Sequence, residues 1–563
     1  MKKSVLVLLA LMLAISNGEM AINRYLVYFT DKPEYDKMTD RQREQWVREN
    51  YNPEVIERRS LRGNGKVWDI KDFPVSKHYI NKIEDLGVKV HHILKWENAI
   101  SVIVENNEIL EKIKDLEFVY KIEKVKSFML KKLPVYQQLE KTTAVPEDNL
   151  LGETISFIGA DTLHQLGLNG EGIIIGVFDT GFDTNHPVLR NIRSKLIGQY
   201  DFVDNDDDVS GFEESHGTIT SSVIGGIYSD STHFYSGLAI DASFILCRTE
   251  YVAQEVHAEE DNWAAAAEYA ESLGVDLIST SLGYSLFDTD QGDYSYEDMD
   301  GNTTIITRAA NALTERGVVV VVSAGNEGTN SWHYITAPAD GQEVISVGAI
   351  GLDGRMASFS SYGPTFDGRV KPEIVSPGVS IPGANYNEEN SSLFVYASGT
   401  SMACPVAAGG IALILQAFPQ VPVSTLRTAI IETAEITGIE GANIRPGEQY
   451  GYGILNLKKV YDFLNDTSVI QTEISLINET LIGPNPFNIS SDSRLTLAIN
   501  NTIPLPATIV IFNVLGQKMM EFNTVNYAIF IPADQFRNFN AGIYFLKIEG
   551  RNYKKISKMV ITR

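Results

Sequence analysis

The sequence predicts an α/β fold: a doubly wound parallel sheet, preceded by a small α+β module and followed by an all-β sandwich. Three observations predict it. Between residues 150 and 465, apolar runs of strand length alternate with helix candidates, as in a parallel sheet covered on both faces. Residues 24–132 carry a mixed β-α-β pattern of their own. Beyond about residue 466, Asn- and Thr-rich sequence gives way to short alternating runs separated by turn formers. The chain has 563 residues, too many for one ordinary domain, and its 44% apolar content supplies a large core.

The N-terminus comes first. Lys2 and Lys3 precede an apolar run over 5–15. A bilayer-crossing helix needs about 20 residues. Residues 1–18 therefore read as a secretory signal peptide, and no later segment reads as long enough to span a membrane. The module at 24–132 should hold a strand over 25–30, a charged helix over 35–50 and a strand pair around 88–104. A helix over 107–116 and a strand over 118–125 complete it. It contains 22 Lys/Arg and 19 Asp/Glu within a chain of net charge −25. A mildly basic module facing an acidic body fits an intramolecular partner, though acidity also simply keeps a secreted chain soluble. The overall charge argues against nucleic acid as a partner. Residues 133–149, with Pro134 and Pro146, read as a linker.

In the body, a helix over 262–273 should lead into a strand over 275–279. A second helix, over 304–316, should lead into the valine run 318–322. The loop 201–208 is acidic enough to raise structural calcium, but it lacks the spaced ligands of an EF-hand. A solvated loop is the preferred reading. No cofactor is required for the chemistry read below. Only Cys247 and Cys404 occur, both in apolar runs, and they read as buried free thiols.

Four motifs carry that chemistry. Gly399-Thr400-Ser401-Met402-Ala403 opens an apolar helix and sets a hydroxyl in the positive field of a helix N-terminus. Asp179 ends the apolar run 173–178 before Thr180-Gly181, which puts a carboxylate at the carboxyl end of a buried strand. His216 stands in Ser215-His216-Gly217-Thr218 ahead of a further apolar stretch. Asn326 follows the valine strand in Ser323-Ala324-Gly325-Asn326, where its amide could face a reacting carbonyl. Each has a bland reading as an N-cap, a turn residue or a structural histidine. Asp179-Thr180-Gly181 also fits an aspartic peptidase, but no second Asp-Thr/Ser-Gly exists to complete a dyad. Cys404 is a weaker rival to Ser401 as nucleophile. The conjunction of all four motifs, in the order Asp, His, Asn, Ser, favours the catalytic reading.

These motifs resemble the subtilase (subtilisin-like) serine peptidase family over roughly 150–465. Ser279-Thr280-Ser281-Leu282-Gly283 looks like that family's substrate-binding strand, and Phe359-Ser360-Ser361-Tyr362-Gly363-Pro364 and Val370-Lys371-Pro372-Glu373-Ile374 match further segments. Val406 departs from it, since many relatives have His there. The resemblance implies a subtilisin-like doubly wound sheet and a serine endopeptidase acting on proteins or peptides. Asp179, His216 and Ser401 would form its triad, Asn326 its oxyanion donor, and Ser281, Leu282 and Gly283 its substrate edge, with no catalytic metal. It further implies that 24–132 is a propeptide that blocks the cleft until the linker is cut. A catalytically silent surface or adhesion protein that keeps the fold is the alternative.

The tail is a separate resemblance. Runs over 495–499, 508–512 and 543–548 read as sandwich strands. Pro484-Asn485-Pro486-Phe487, Phe512-Asn513-Val514-Leu515-Gly516-Gln517 and Ala541-Gly542-Ile543-Tyr544-Phe545-Leu546-Lys547 resemble the type A C-terminal sorting domain of the type IX secretion system. That implies a linker over 466–481, a sorting domain over 482–563, secretion machinery as a partner, and an extracellular or cell-surface location. A carbohydrate-binding or adhesive β module is the other reading of these strands.

Overall fold

The computed structural model describes residues 24–125, 149–476 and 481–562, except 64–66, 105, 211–215, 252–256, 288–291, 386–392, 484–486, 489–493, 499–506, 525–527 and 551–552. The expected signal segment 1–18 and nearly all of the linker 133–149 lie outside these residues. The chain divides into one unit up to Val460 and a second from Tyr461.

The first unit begins with the N-terminal module. Its strands are β1 (Arg24–Phe29), β2 (Lys89–Leu94), β3 (Ala99–Ile103) and β4 (Val119–Val125), in the order β2-β3-β1-β4. Every residue of β1 is buried, as befits a central strand covered on both faces. The charged helix expected over 35–50 is broken. A single turn, Pro33–Asp36, stops short, and a new helix, Asp40–Asn50, starts at Thr39. Thr39 and Gln42 form a reciprocal capping box there, so local hydrogen bonding outweighs the continuous charge pattern. Two helices escaped the sequence reading: Pro53–Arg62, capped by Asn52, and Lys77–Glu84.

The body is a seven-stranded sheet with every strand parallel to its neighbours. Its strands are β5 (Ile174–Asp179), β6 (Leu196–Asp201), β7 (Ser243–Arg248), β8 (Leu277–Thr280), β9 (Val319–Ser323), β10 (Ile345–Ile350) and β11 (Ile374–Pro377). The order β11-β10-β9-β8-β5-β7-β6 reverses the direction of winding around β5. A crevice therefore opens beyond the carboxyl ends of the strands at that point. The expected helices are Ala258–Ser272 and Ile305–Glu315, and they lead into β8 and β9. Trp263, fully buried, packs edge-on against Phe178 and donates its indole N–H to Thr280 Oγ1 at 3.0 Å.

Helix Thr400–Ala417 crosses under the sheet. Its 18 residues are long and apolar enough to match a membrane span by length and composition, contrary to the sequence expectation, but 83% of them are buried inside the protein. A helix that is apolar all round is what a core position requires.

The module rests on helices Ala258–Ser272 and Ile305–Glu315 through charge. Arg24 reaches Asp261 at 2.9 Å. Arg58 and Arg59 both reach Glu271, at 2.7 and 2.9 Å. Glu268 accepts the backbone N–H groups of Lys95 and Trp96 at 3.0 and 2.8 Å. Three pairs run the other way, Arg308 to Glu97 and Arg316 to both Asp69 and Asp72. Arg58, Arg59 and Glu271 are buried, so each depends on the others for its solvation.

The acidic loop is largely solvated, as expected: Asp204, Asp206, Asp207 and Asp208 are exposed and only its first carboxylate is buried. Asp201 is buried at the end of β6, and Asp201 and Asp204 both bind Arg248, at 2.6 and 2.8 Å. Asp201 and Asp206 also accept backbone N–H groups within the loop. No cluster of three His, Cys, Asp or Glu suited to a metal occurs among the described residues.

The second unit is β-rich. A five-stranded sheet, including Ala507–Asn513, Lys518–Thr524, Gly542–Gly550 and Tyr553–Thr562, faces a three-stranded one that includes Arg494–Ala498 and Ala528–Pro532. Between them lies a core of Phe487, Leu495, Leu497, Ile509, Ile511, Phe536, Leu546, Ile548 and Met559.

Candidate active site

Asp179 ends β5 with its side chain fully buried. Its carboxylate accepts three hydrogen bonds: from Thr180 N at 2.8 Å, Thr220 Oγ1 at 2.9 Å and His216 Nδ1 at 2.8 Å. His216 is the first residue of helix His216–Gly225. That helix presses closely on the turn after β5. A Cβ at Gly217 would lie 2.4 Å from Gly181 O and 2.9 Å from Asp179 Cβ, so only glycine permits the approach that brings imidazole to carboxylate. Burial pulls the His216 pKa down. The charge and hydrogen bond of Asp179, with a smaller push from Glu250, outweigh it, and the value ends above that of an ordinary histidine.

Ser401 is the second residue of helix Thr400–Ala417. Gly399 at the N-cap has no side chain, and Asn326 caps the helix from outside. Asn326 Oδ1 accepts Thr400 N at 2.9 Å and Thr400 Oγ1 at 3.0 Å. A backbone N–H must meet an oxygen, so this contact fixes the amide orientation and leaves Nδ2 pointing elsewhere. Gly325, at φ +105°, provides the left-handed turn that places Asn326.

The geometry converges at Gly399. A Cβ built there would lie 2.7 Å from Ser401 Oγ, 3.5 Å from Ser401 N and 3.6 Å from Asn326 Nδ2. One small space is thus bounded by a hydroxyl and two N–H donors. Neither donor has a partner among the described residues. Helices His216–Gly225 and Thr400–Ala417 pack against each other, which brings the Asp–His pair and the Ser–Asn pair to neighbouring elements. Among the described residues no hydrogen bond joins Ser401 Oγ to His216.

Ser281, Leu282 and Gly283 follow β8. Ser281 Oγ donates to Ser401 O at 2.9 Å, and Leu282 O accepts Ser323 Oγ at 3.3 Å. The backbone N–H and C=O of Gly283 have no partner among the described residues. A Cβ there would strike Thr336 Oγ1 at 2.1 Å.

Cys404 faces away from this space. Its Sγ lies 3.4 Å from Thr280 O and from Val321 O beneath the sheet, and burial pushes its thiol up to about 12. A thiol so hard to ionise is a poor nucleophile. Both cysteines are buried and free. Sequence reading missed Thr220 and Thr400. Thr220 sits four residues after His216 on the same helix face, a spacing that could have revealed it.

The parallel sheet flanked by helices defines an α/β fold, and comparison with known proteins gives the family. The subtilase family matches residues 170–453, half of the chain, and the chain belongs to that family. The Bacteroidota propeptide domain of the S8 peptidases matches 24–142, and a secretion system C-terminal sorting domain matches 482–562. Subtilisin DY of Bacillus licheniformis is 29% identical over 310 residues, 54% of this chain and 96% of the relative. Subtilisin E of Bacillus subtilis is 29% identical over 389 residues, covering 67% and 84%. A thermophilic serine proteinase of Bacillus sp. AK1 is 33% identical over 240 residues, covering 43% and 51%. The chain is a serine-type endopeptidase with its own propeptide. Its sorting domain directs it through the type IX secretion system to the extracellular space or cell surface.

Proposed function

We propose that Ser401, His216 and Asp179 form the catalytic triad of this peptidase, with Asn326 and the Ser401 backbone N–H as its oxyanion hole. Ser401 Oγ attacks the scissile carbonyl while His216 Nε2 takes its proton, and His216 then gives that proton to the leaving amine. Asp179 accepts from Nδ1, which fixes the tautomer and stabilises the imidazolium. The carbonyl oxygen, now an anion, occupies the space beside Gly399 between Asn326 Nδ2 and Ser401 N. The Ser401–His216 hydrogen bond forms as substrate arrives, since catalytic hydrogen bonds often tighten only in the complex. The free backbone edge at Gly283, with Ser281 and Leu282, takes an extended peptide as an added strand. Maturation cuts within 133–149 and releases the N-terminal module.

The observation that carries this reading is the convergence of one hydroxyl and two unpartnered donors on the space beside Gly399. With every reacting group present, nothing favours a silent surface protein. Ser401→Ala should lower kcat on a peptide substrate by about 10⁶, a magnitude measured on subtilisin and not worked from this structure. Unchanged turnover by that variant would overturn the assignment.

A further inference from the structure

Glu250 lies two residues beyond β7, whose last residue, Arg248, pairs in register with Asp179. Thr249 N donates to Asp179 O at 3.0 Å, so the two strand ends are tied at the site. Glu250 is buried and both its oxygens are held: Oε1 by Thr249 Oγ1 at 2.9 Å, Oε2 by Tyr284 OH in a short bond of 2.5 Å. Tyr284 directly follows the substrate edge, so the carboxylate is anchored from the cleft wall as well as from its own strand.

This carboxylate has no cation of its own among the described residues. Arg248, the nearest guanidinium in sequence, is turned to Asp201 and Asp204. The other groups around it are acidic or neutral. From β5 comes Asp179, and from helix Ala258–Ser272 come Glu259, which accepts Tyr251 N, and Glu260, which binds His257 and Tyr294. Burial pushes the Glu250 carboxyl up to about 7, and the charges of Asp179 and Glu260 add to the rise against the hydrogen bonds of Tyr284 and Thr249. Its charge in turn acts on His216. A buried anion without a counter-ion is costly, and the cost falls when a cation forms nearby. Of the groups around this site, the imidazole is the one that becomes a cation during the reaction.

We propose that Glu250 is a positioning residue of the proton-transfer step: a second carboxylate, fixed by Thr249 and Tyr284 at the strand end beside Asp179, that stabilises the imidazolium of His216 as Ser401 loses its proton. The proposal rests on the triad roles given above. The proton passes from Ser401 Oγ to His216 and on to the leaving amine. Glu250 forms no bond to substrate and acts by charge alone. Tyr284 couples this charge to the substrate edge, so a peptide bound along Gly283 settles against the wall that holds it.

The test follows the His216 imidazole by NMR in the full chain carrying Ser401→Ala, where no self-cleavage interferes. Without Glu250 the imidazolium loses a stabilising neighbour, so its pKa falls. Glu250→Gln should lower the His216 midpoint by about half to one pH unit, a modest share of what a charge in direct contact exerts. In the active chain the acid limb of kcat/KM should move down by the same amount, with plateau kcat about 3- to 10-fold lower. Tyr284→Phe keeps the carboxylate but frees it, and should move the limb the same way by less. A purely structural Glu250 would leave the limb in place, and an unmoved His216 midpoint in the Gln variant overturns the proposal. Should Glu250→Gln not fold, Tyr284→Phe in the Ser401→Ala chain decides: a lowered His216 midpoint supports the proposal and an unmoved one overturns it. If the chain proves inactive on peptides, the triad roles fall while the titration still answers for Glu250.

Discussion

Gly399→Ala separates catalysis from folding at one atom. The backbone there has φ 164°, extended and open to any residue, so alanine costs nothing in conformation. Replacing glycine also removes freedom from the unfolded chain, a gain of about 0.4–1 kcal/mol. The new methyl would lie 2.7 Å from Ser401 Oγ, inside van der Waals contact, and 3.5 and 3.6 Å from Ser401 N and Asn326 Nδ2, the proposed oxyanion donors. The serine side chain can rotate away, so the clash is relieved by displacing the nucleophile and not by moving the fold. The methyl then occupies the space meant for the oxyanion. Loss of one such donor costs about 10²–10³ in kcat, again a value measured on subtilisin. We expect a fall of about 10³ in kcat, with folding free energy within about 1 kcal/mol of the parent. Peptide turnover and denaturant unfolding of the same preparation measure the two. Near-parental kcat would show that the space beside Gly399 does not hold the reacting oxygen. A loss of several kcal/mol in stability would show that the methyl disrupts the fold instead.

Three further outcomes follow. Glu271→Ala leaves Arg58 and Arg59 buried without their shared carboxylate and should destabilise the full chain by about 3–5 kcal/mol in denaturant unfolding. Acid should act on the same pair. Burial works against ionising Glu271, but Arg59 and Arg58 more than offset it and hold its carboxyl down at about 2. A depressed carboxyl contributes its full stability above the unfolded value, near 4.5, and loses it as pH falls toward 2. Glu268, raised by burial to about 7, works oppositely between about 7 and 4.5. The melting temperature of the Ser401→Ala chain should therefore fall steeply below pH 4.5, and Glu271→Gln should flatten that fall. Finally, with Cys247 and Cys404 buried and their thiols pushed up by burial, a thiol reagent should label neither in the native protein and both after unfolding.

The site was more legible in the sequence than the N-terminal module. Asp179, His216, Asn326 and Ser401 stand at the ends of strands or starts of helices, beside glycines whose absent side chains allow close approach. Gly217, Gly325 and Gly399 are where a Cβ would strike, so a local signal existed at each position. Helix Thr400–Ala417 was legible for a related reason, because its apolar run has no polar face to misread. Helix Pro53–Arg62 was not. Its sequence PEVIERRSLR reads as a solvated surface helix, yet Arg58, Arg59 and Arg62 are buried against Glu271 and Asp276. Their partners lie more than 200 residues away, and no local period reports that distance. The same is true of Glu250, which is held by Tyr284, and of Asp201, which pairs with Arg248. The broken helix near Thr39 is a different failure, since its Thr-x-x-Gln box was present in the sequence and was outweighed by a charge pattern.

The central claim concerns one oxygen atom, and a fluorophosphonate probe tests it most directly. Such a probe bonds only to a serine whose proton is being taken and whose neighbours hold an oxyanion. On the matured chain a single adduct should form, mapped by mass spectrometry to the peptide containing Ser401, absent in Ser401→Ala and strongly slowed in His216→Ala. An adduct on any other residue, or a chain that cleaves peptides while Ser401 stays unlabelled, would contradict it.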